Sequence, residues 1–138
     1  MKTNVMMKTK TIKQKALISA SPEEVYECFV DAKLHEAFTG SRATGSSKVG
    51  SRVTAWDGYI TAKNIELKPN KKIVQEWRTT EWPAGASASK LTLTFAKKGR
   101  GTEITMVHSN VPAEQASSYA KGWKDFYWNP LKKYFKEK

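Results

Sequence analysis

Cysteine occurs once in the 138 residues, at Cys28, so no internal disulfide can form, and a reducing compartment fits. Histidine is nearly as scarce. His35 and His108 are far apart, and neither has a ligand-spaced partner of the kind a metal site needs, so no metal site and no cofactor is expected. No apolar run approaches the ~20 residues needed to span a bilayer. The stretch from Met1 to Lys15 carries lysines but no apolar core, unlike a secretory signal, and a cytoplasmic location is expected. Negative charge is also in short supply, with 13 Asp and Glu against 24 Lys and Arg, a formal net charge of +11. The basic residues are scattered, with modest clusters at Lys8 to Lys15, Lys68 to Lys72 and Lys132 to Lys138. No dense basic run interleaves with aromatics and no recognition motif accompanies the charge, so no specific nucleic-acid partner is expected.

The residues that are present suit one folded domain: 39% are hydrophobic and 11% aromatic, enough for a core of large pieces. Residues 1–11 are expected to be a flexible tail and residues 12–138 a single domain. Ile12 to Ser19 reads as a strand, with Ile12, Gln14, Ala16 and Ile18 sharing a face. Ser21, Pro22 and Glu24 form the start signal of a helix, a capping box with proline in the first turn. A second short helix is predicted from Ala32 to Phe38, ended by Gly40. The Gly- and Ser-rich stretch from Gly40 to Gly50 reads as a loop that could gate a cavity.

Strands are then predicted at Val53 to Trp56, Tyr59 to Leu67, Ile73 to Thr80, around Leu91 to Phe95, and around Ile104 to His108. Tight turns at Asp57-Gly58, Pro69-Asn70 and Gly99 to Gly101 separate them. A bulge in Val53 to Leu67 would exchange which residues face inward. From Pro112 to Phe135, residues Ala116, Ala120, Trp123, Tyr127, Leu131 and Tyr134 recur at helical spacing, with Lys121, Asp125, Lys132 and Lys136 opposite. Pro130 should kink this helix, and Gly122 is consistent with a close approach to a strand. The order predicts an α+β fold of helix-grip type, with two short helices after the first strand. A curved antiparallel sheet wraps around a long C-terminal helix.

Chemical motifs are few. Gly40 and Gly45 have phosphate-loop spacing, but Ser46 stands where lysine is required, which excludes that loop. Cys28 lies on the buried stripe of the first helix and reads as packing. Glu76 and Arg78 share a strand face with Glu66 nearby, which reads as a surface ion-pair ladder. No pair of carboxylates and no nucleophile stands out, so no catalytic residue is assigned. Aromatics are plentiful at Phe38, Trp56, Tyr59, Trp77, Trp82, Trp123, Tyr127 and Trp128, whereas only Leu17, Leu34, Leu67, Leu91, Leu93 and Leu131 are leucines. Such rings either fill a solid core or line a cavity, and their polar handles suit pocket walls. His108 is either a satisfied core histidine or a cavity residue. The candidate cavity is lined by Phe38, Trp56, Trp77, Leu93, Met106, His108, Trp123, Tyr127 and Leu131.

Several stretches together resemble the START-like (SRPBCC) superfamily. They are Ser21 to Tyr26, Phe38 to Gly40, Asp57 to Ile60, Lys63 to Leu67, Ile73 to Arg78, Gly101 to Thr105, Val111-Pro112, Gly122-Trp123 and Trp128 to Leu131. Within it the chain is similar to the branch that includes the C-terminal domain of the activator of heat-shock protein 90 ATPase. The resemblance implies a helix-grip fold with a cavity between sheet and helix. It also implies binding of lipids or other apolar molecules, with a few cyclases among the members. The full-length activator carries a further N-terminal domain that docks on the chaperone.

Three functions are compatible with these features. The first is a non-enzymatic carrier or sensor of a small apolar ligand or lipid. The second is a module that interacts with a heat-shock protein 90-type chaperone and modulates its ATPase. The third, least supported, is a cyclase-type enzyme using His108 or Glu76 as proton donor. A monomer or weak dimer is expected.

Overall fold

The computed structural model describes residues 8–83 and 85–136. Six strands form one antiparallel sheet: β1 (Thr9–Ile18), β2 (Arg52–Ala55), β3 (Ile60–Lys68), β4 (Lys72–Thr79), β5 (Ser89–Lys98) and β6 (Gly101–Pro112). Their spatial order is β1-β6-β5-β4-β3-β2, so strands two to six form a meander and the first strand returns to pair with the last. Between β1 and β2 lie α1 (Pro22–Val30) and α2 (Ala32–Thr39). The C-terminal helix follows β6 as α3 (Ala116–Trp123), a π-helical segment at Lys124–Trp128, and α4 (Asn129–Lys136). This is the expected helix-grip architecture. No helix of the described residues is long and apolar enough to cross a membrane.

The local signals act as their chemistry dictates. Ser21 Oγ accepts from Glu24 N at 3.2 Å and Glu24 Oε1 from Ser21 N at 3.1 Å, which closes the capping box. Such a cap contributes ~1 kcal/mol. Asp31 caps α2, and Gly40 ends it at φ 77°. Period-two burial puts Ile12, Ala16 and Ile18 of β1, Leu91, Leu93 and Phe95 of β5, and Ile104, Met106 and His108 of β6 on the inner face. Gly101 sits where β6 begins beside the end of β1. A Cβ there would collide with the Ile18 carbonyl oxygen, so only glycine fits.

Four expectations need correction. β1 begins at Thr9 rather than Ile12, because Thr9 and Lys10 pair with Pro112 and Val111 of β6. Thr9 to Thr11 carry no apolar residue and so give no alternation to read. Residues 1–7 of the expected tail lie outside the described residues. The C-terminal helix starts at Ala116 rather than Pro112, which closes β6.

The Gly40–Gly50 stretch is tied down rather than a free gate. Gly45 adopts φ 119° against Val53, and Thr44 bridges Thr54. The buried Asn64 donates to the carbonyls of Ser46 and Lys48, both at 3.2 Å, and accepts from Gln75 Nε2 at 2.9 Å. Asn64 is turned inward just before the β3 bulge between Asn64 and Glu66.

Gly122, finally, approaches no strand. The one neighbour a Cβ would meet is the Phe126 ring at 3.8 Å.

Candidate functional site

Pro130 shapes the site. It has no N–H to offer the Phe126 carbonyl, so the α register cannot continue past it. The chain responds with the π segment, in which Asn129 N–H bonds back to the Lys124 carbonyl. The wider turn lets adjacent Tyr127 and Trp128 both face inward, while Phe126 stays 54% exposed.

The buried face of this helix is bound to the sheet and to α2 through polar rungs. Trp123 Nε1 donates to His108 Nδ1 at 3.1 Å, so His108 carries its proton on Nε2. That Nε2 donates to Ser89 Oγ at 2.8 Å, and the hydroxyl donates to the Trp77 carbonyl at 2.6 Å. A second rung has the other tautomer. His35 Nδ1 donates to the Cys28 carbonyl at 3.1 Å, and Nε2 accepts from the Tyr127 hydroxyl at 3.0 Å. A third joins Trp128 Nε1 to Gln14 Oε1 at 2.7 Å, with Gln14 Nε2 donating to the Ala120 carbonyl at 2.9 Å. A fourth pairs Tyr119 with Thr79 at 2.7 Å.

Burial lowers the pKa of His108 to about 3. It lowers His35 to about 4, partly opposed by the bond to the Cys28 carbonyl. Both rings are neutral at physiological pH. The Ser89–His108 pair is therefore no nucleophile and base: the Nε2 that would take the serine proton already holds one, and that serine proton is committed to a carbonyl. His108 is likewise no proton donor. Glu76, the other candidate, lies exposed on the opposite face of the sheet.

Where the helix passes the β2–β3 hairpin, a cleft of about 400 Å³ opens between them. Trp56, Tyr59, Ile60, Trp77, Tyr119, Gly122, Trp123, Phe126 and Tyr127 line it. The hairpin loop holds Trp56 at φ 52°, Asp57 at 56° and Gly58 at 88°. A tryptophan in the left-handed region is a strained arrangement, of the kind that gathers at binding sites. It sets the indole edge-on to Phe126, ring centroids 5.4 Å apart. Trp56 Nε1 lies near the Tyr127 hydroxyl but falls short of hydrogen-bond geometry, and it is buried with no partner. Burial raises the pKa of Tyr127, and burial with a bond to Glu81 raises that of Tyr59, so both hydroxyls stay protonated. A smaller void of about 50 Å³ lies deeper, beside Leu93, Trp77, Trp123 and Tyr127.

Of the residues expected to line a cavity, Trp56, Trp77, Trp123 and Tyr127 border the cleft, and Leu93 borders the inner void. Phe38, Met106, His108 and Leu131 pack in the solid core and border neither. The sequence reading missed Ile60, Tyr119, Gly122, Phe126 and, as a lining residue, Tyr59. Tyr119 stands one helical turn before Trp123 and was legible by spacing. Phe126 was not, because the π register moves it off the regular stripe. Among the described residues no group of His, Cys and carboxylates could hold a metal.

The model of the family described as Activator of Hsp90 ATPase homolog 1-like protein matches residues 19–136. The human Activator of 90 kDa heat shock protein ATPase homolog 1 is 34% identical over 131 residues, 95% of this chain and 38% of that protein. The Dictyostelium discoideum Activator of 90 kDa heat shock protein ATPase homolog is 34% identical over 117 residues, 84% of this chain and 30% of the relative. The chain thus spans under two fifths of the length of these relatives. Among solved structures, an HSP90 activator from Plasmodium falciparum superposes with a TM-score of 0.79 at 23% identity, covering 86% of this chain and 91% of that one. The Aha1 dimer from Colwellia psychrerythraea gives 0.76 at 18% identity, covering 91% and 96%. At these identities the two structures speak for the fold.

Proposed function

This chain belongs to the Activator of Hsp90 ATPase homolog 1-like family, and on that premise we propose that it is a co-chaperone-type module that binds an Hsp90-type chaperone and modulates its ATPase. The observation that carries the reading is the 34% identity to the human activator along 95% of this chain. A cytoplasmic location goes with that partner. The edge strand β1 carries Lys10, Lys13 and Lys15, which discourage strand pairing between copies and favour a monomer or weak dimer. The test is the steady-state ATPase of purified Hsp90 titrated with this chain, alongside calorimetry of the two proteins. A saturable change in turnover together with measurable binding supports the reading. Absence of both at low ionic strength sinks it.

The cleft favours a second, compatible reading, that of a site for a small apolar ligand or lipid. Its volume lies in the ~300–1,000 Å³ range of ligand pockets. Its walls are rings, and Trp56 Nε1 is a free donor for one acceptor atom on the ligand. The test is an amide NMR titration of delipidated protein with fatty acids, sterols and flat aromatics, repeated on Gly122→Leu. Leucine at 122 has room to fill the cleft and suits a helix better than glycine by ~1 kcal/mol. Saturable shifts around Trp56 and Trp123 that vanish in the stable variant support the site. Identical shifts in both proteins exclude it.

A further inference from the structure

Among the described residues the helices pack on the inner side of the sheet, and no helix covers the outer side. The strand register lays out its chemistry. Arg52 pairs with Lys63, Lys63 with Glu76, and Glu76 with Lys90, one row of charges across four strands. At ~4.8 Å per strand this row is about 14 Å long, so neighbouring charges lie well inside the ~8 Å Debye length of physiological salt. Arg78 stands on the same face of β4, and Lys13 on the same face of β1 through its pairing with Val107.

The expected ion-pair ladder is not there. Glu66 pairs with Lys68 and Lys72, and Glu103 with Lys15 and Lys98. No ion pair among the described residues engages Lys13, Arg52, Lys63, Arg78, Lys90 or Glu76. Like charges directly opposite on a sheet, as at Arg52 and Lys63, destabilise it. Glu76, opposite Lys63 and Lys90, offsets only part of this, so the face keeps an excess of positive charge and, at Arg52 and Lys63, a like-charge pair that works against its own stability.

We propose that this outer sheet face docks an acidic protein surface. That the acidic surface belongs to the chaperone rests on the reading above. Three features select a protein over a polyphosphate or lipid headgroups. A second row crosses the centre with Val107 and Thr92, half-buried short side chains that lose little entropy on burial, beside Val74, which its neighbours on this face already bury, so the middle of the row is less charged than its surroundings. Glu76 sits inside the basic row, where it repels phosphates but can meet one cation of a mixed protein surface. The strand positions of this face carry no aromatic ring on which a base could stack. Five strand spacings by a ten-residue strand give about 24 by 30 Å, on the order of 700 Å² and near the ~800 Å² each partner contributes to a standard interface.

The test compares the double reversal Lys63→Glu/Lys90→Glu with Lys132→Glu/Lys136→Glu, which makes the same change of charge on the exposed side of α4. Each is titrated against purified Hsp90 at two salt concentrations. Circular dichroism and thermal melting check that both variants fold. The expected result is a loss of affinity on the order of tenfold or more for the sheet variant, with the helix variant within about threefold of wild type. Equal weakening in both overturns the docking face and leaves the chaperone reading standing.

If wild type does not bind Hsp90, that reading fails. The face is then judged by amide shifts with a poly-glutamate peptide as probe. Shifts confined to Arg52, Lys63, Arg78 and Lys90 uphold it, and dispersed or absent shifts overturn it. Tighter binding of duplex DNA or phosphatidylserine vesicles at these same residues also overturns it, in favour of a phosphate ligand.

Discussion

His35 and His108 are buried without charge, and that makes stability depend on pH in a way that can be worked out. Unfolded, each titrates near 6.5, whereas folded, His35 titrates at about 4 and His108 at about 3. Both shifts are downward, so the unfolded chain binds more protons. Stability is fully present above about pH 6.5 and is lost as pH falls toward the folded values. At pH 5 both rings are still neutral in the folded protein and almost wholly charged when unfolded. The loss is about 2 kcal/mol for each ring, about 4 kcal/mol together. That is a large share of a typical 5–15 kcal/mol.

No carboxylate of the described residues is buried. The rings facing the histidines are uncharged: Phe29, Phe38 and Tyr127 around His35, and Trp77 and Trp123 around His108. The assay is urea unfolding followed by tryptophan fluorescence at pH 7 and pH 5, at one ionic strength. His35→Gln should roughly halve the pH dependence, whatever it does to stability at pH 7. Equal stability at the two pH values would refute the reasoning. So would a full loss that persists in a folded variant lacking both histidines.

Three further outcomes follow from buried contacts. Asn64→Ala takes the side-chain donor from the carbonyls of Ser46 and Lys48, the latter keeping the Ser51 N–H, takes the acceptor from Gln75 Nε2, and should destabilise by about 1–3 kcal/mol. Hydrogen exchange at Gly50, whose N–H bonds to the Asn64 carbonyl, should quicken. Gly101→Ala drives a methyl group into the Ile18 carbonyl and should lower stability by about 2 kcal/mol or more, read as a lower melting temperature. Trp123→Ala removes a ring that is 4% exposed and strands His108 Nδ1, so denaturant unfolding should show a loss of about 3–5 kcal/mol. That loss makes Gly122→Leu the cleaner probe of the cleft.

Element order and type were readable because their signals are local. The capping box at Ser21, the left-handed stop at Gly40 and the alternation in β5 and β6 each depend on neighbours in sequence. Thr9 to Thr11 were not readable, because their strand exists only through pairing with Val111 and Pro112 about a hundred residues away. The π segment was half readable. Pro130 announces a broken register but not whether the helix kinks or widens. Glu76 and Arg78 were correctly placed on one face. That they make no ion pair among the described residues was not readable, since pairing depends on which strands flank them and on where Glu66 falls after the bulge.

The abundance of rings and shortage of leucine have one physical cause. A helix laid across a sheet can be held by apolar packing alone, but this one is also held by directional bonds. Trp123, Tyr127, Trp128 and Tyr119 each present a ring to the core and a polar atom to a partner on another element. Leucine supplies the first and not the second. Polar handles on aromatics therefore do not by themselves mark a cavity, because four of them are consumed in fixing the register of the helix. A buried handle without a partner among the described residues belongs to Trp56, in the wall of the cleft and on a strained turn. If a ligand binds on this side of the protein, the Trp56 indole is where its polar atom goes. The opposite face of the sheet stays available for a protein partner at the same time.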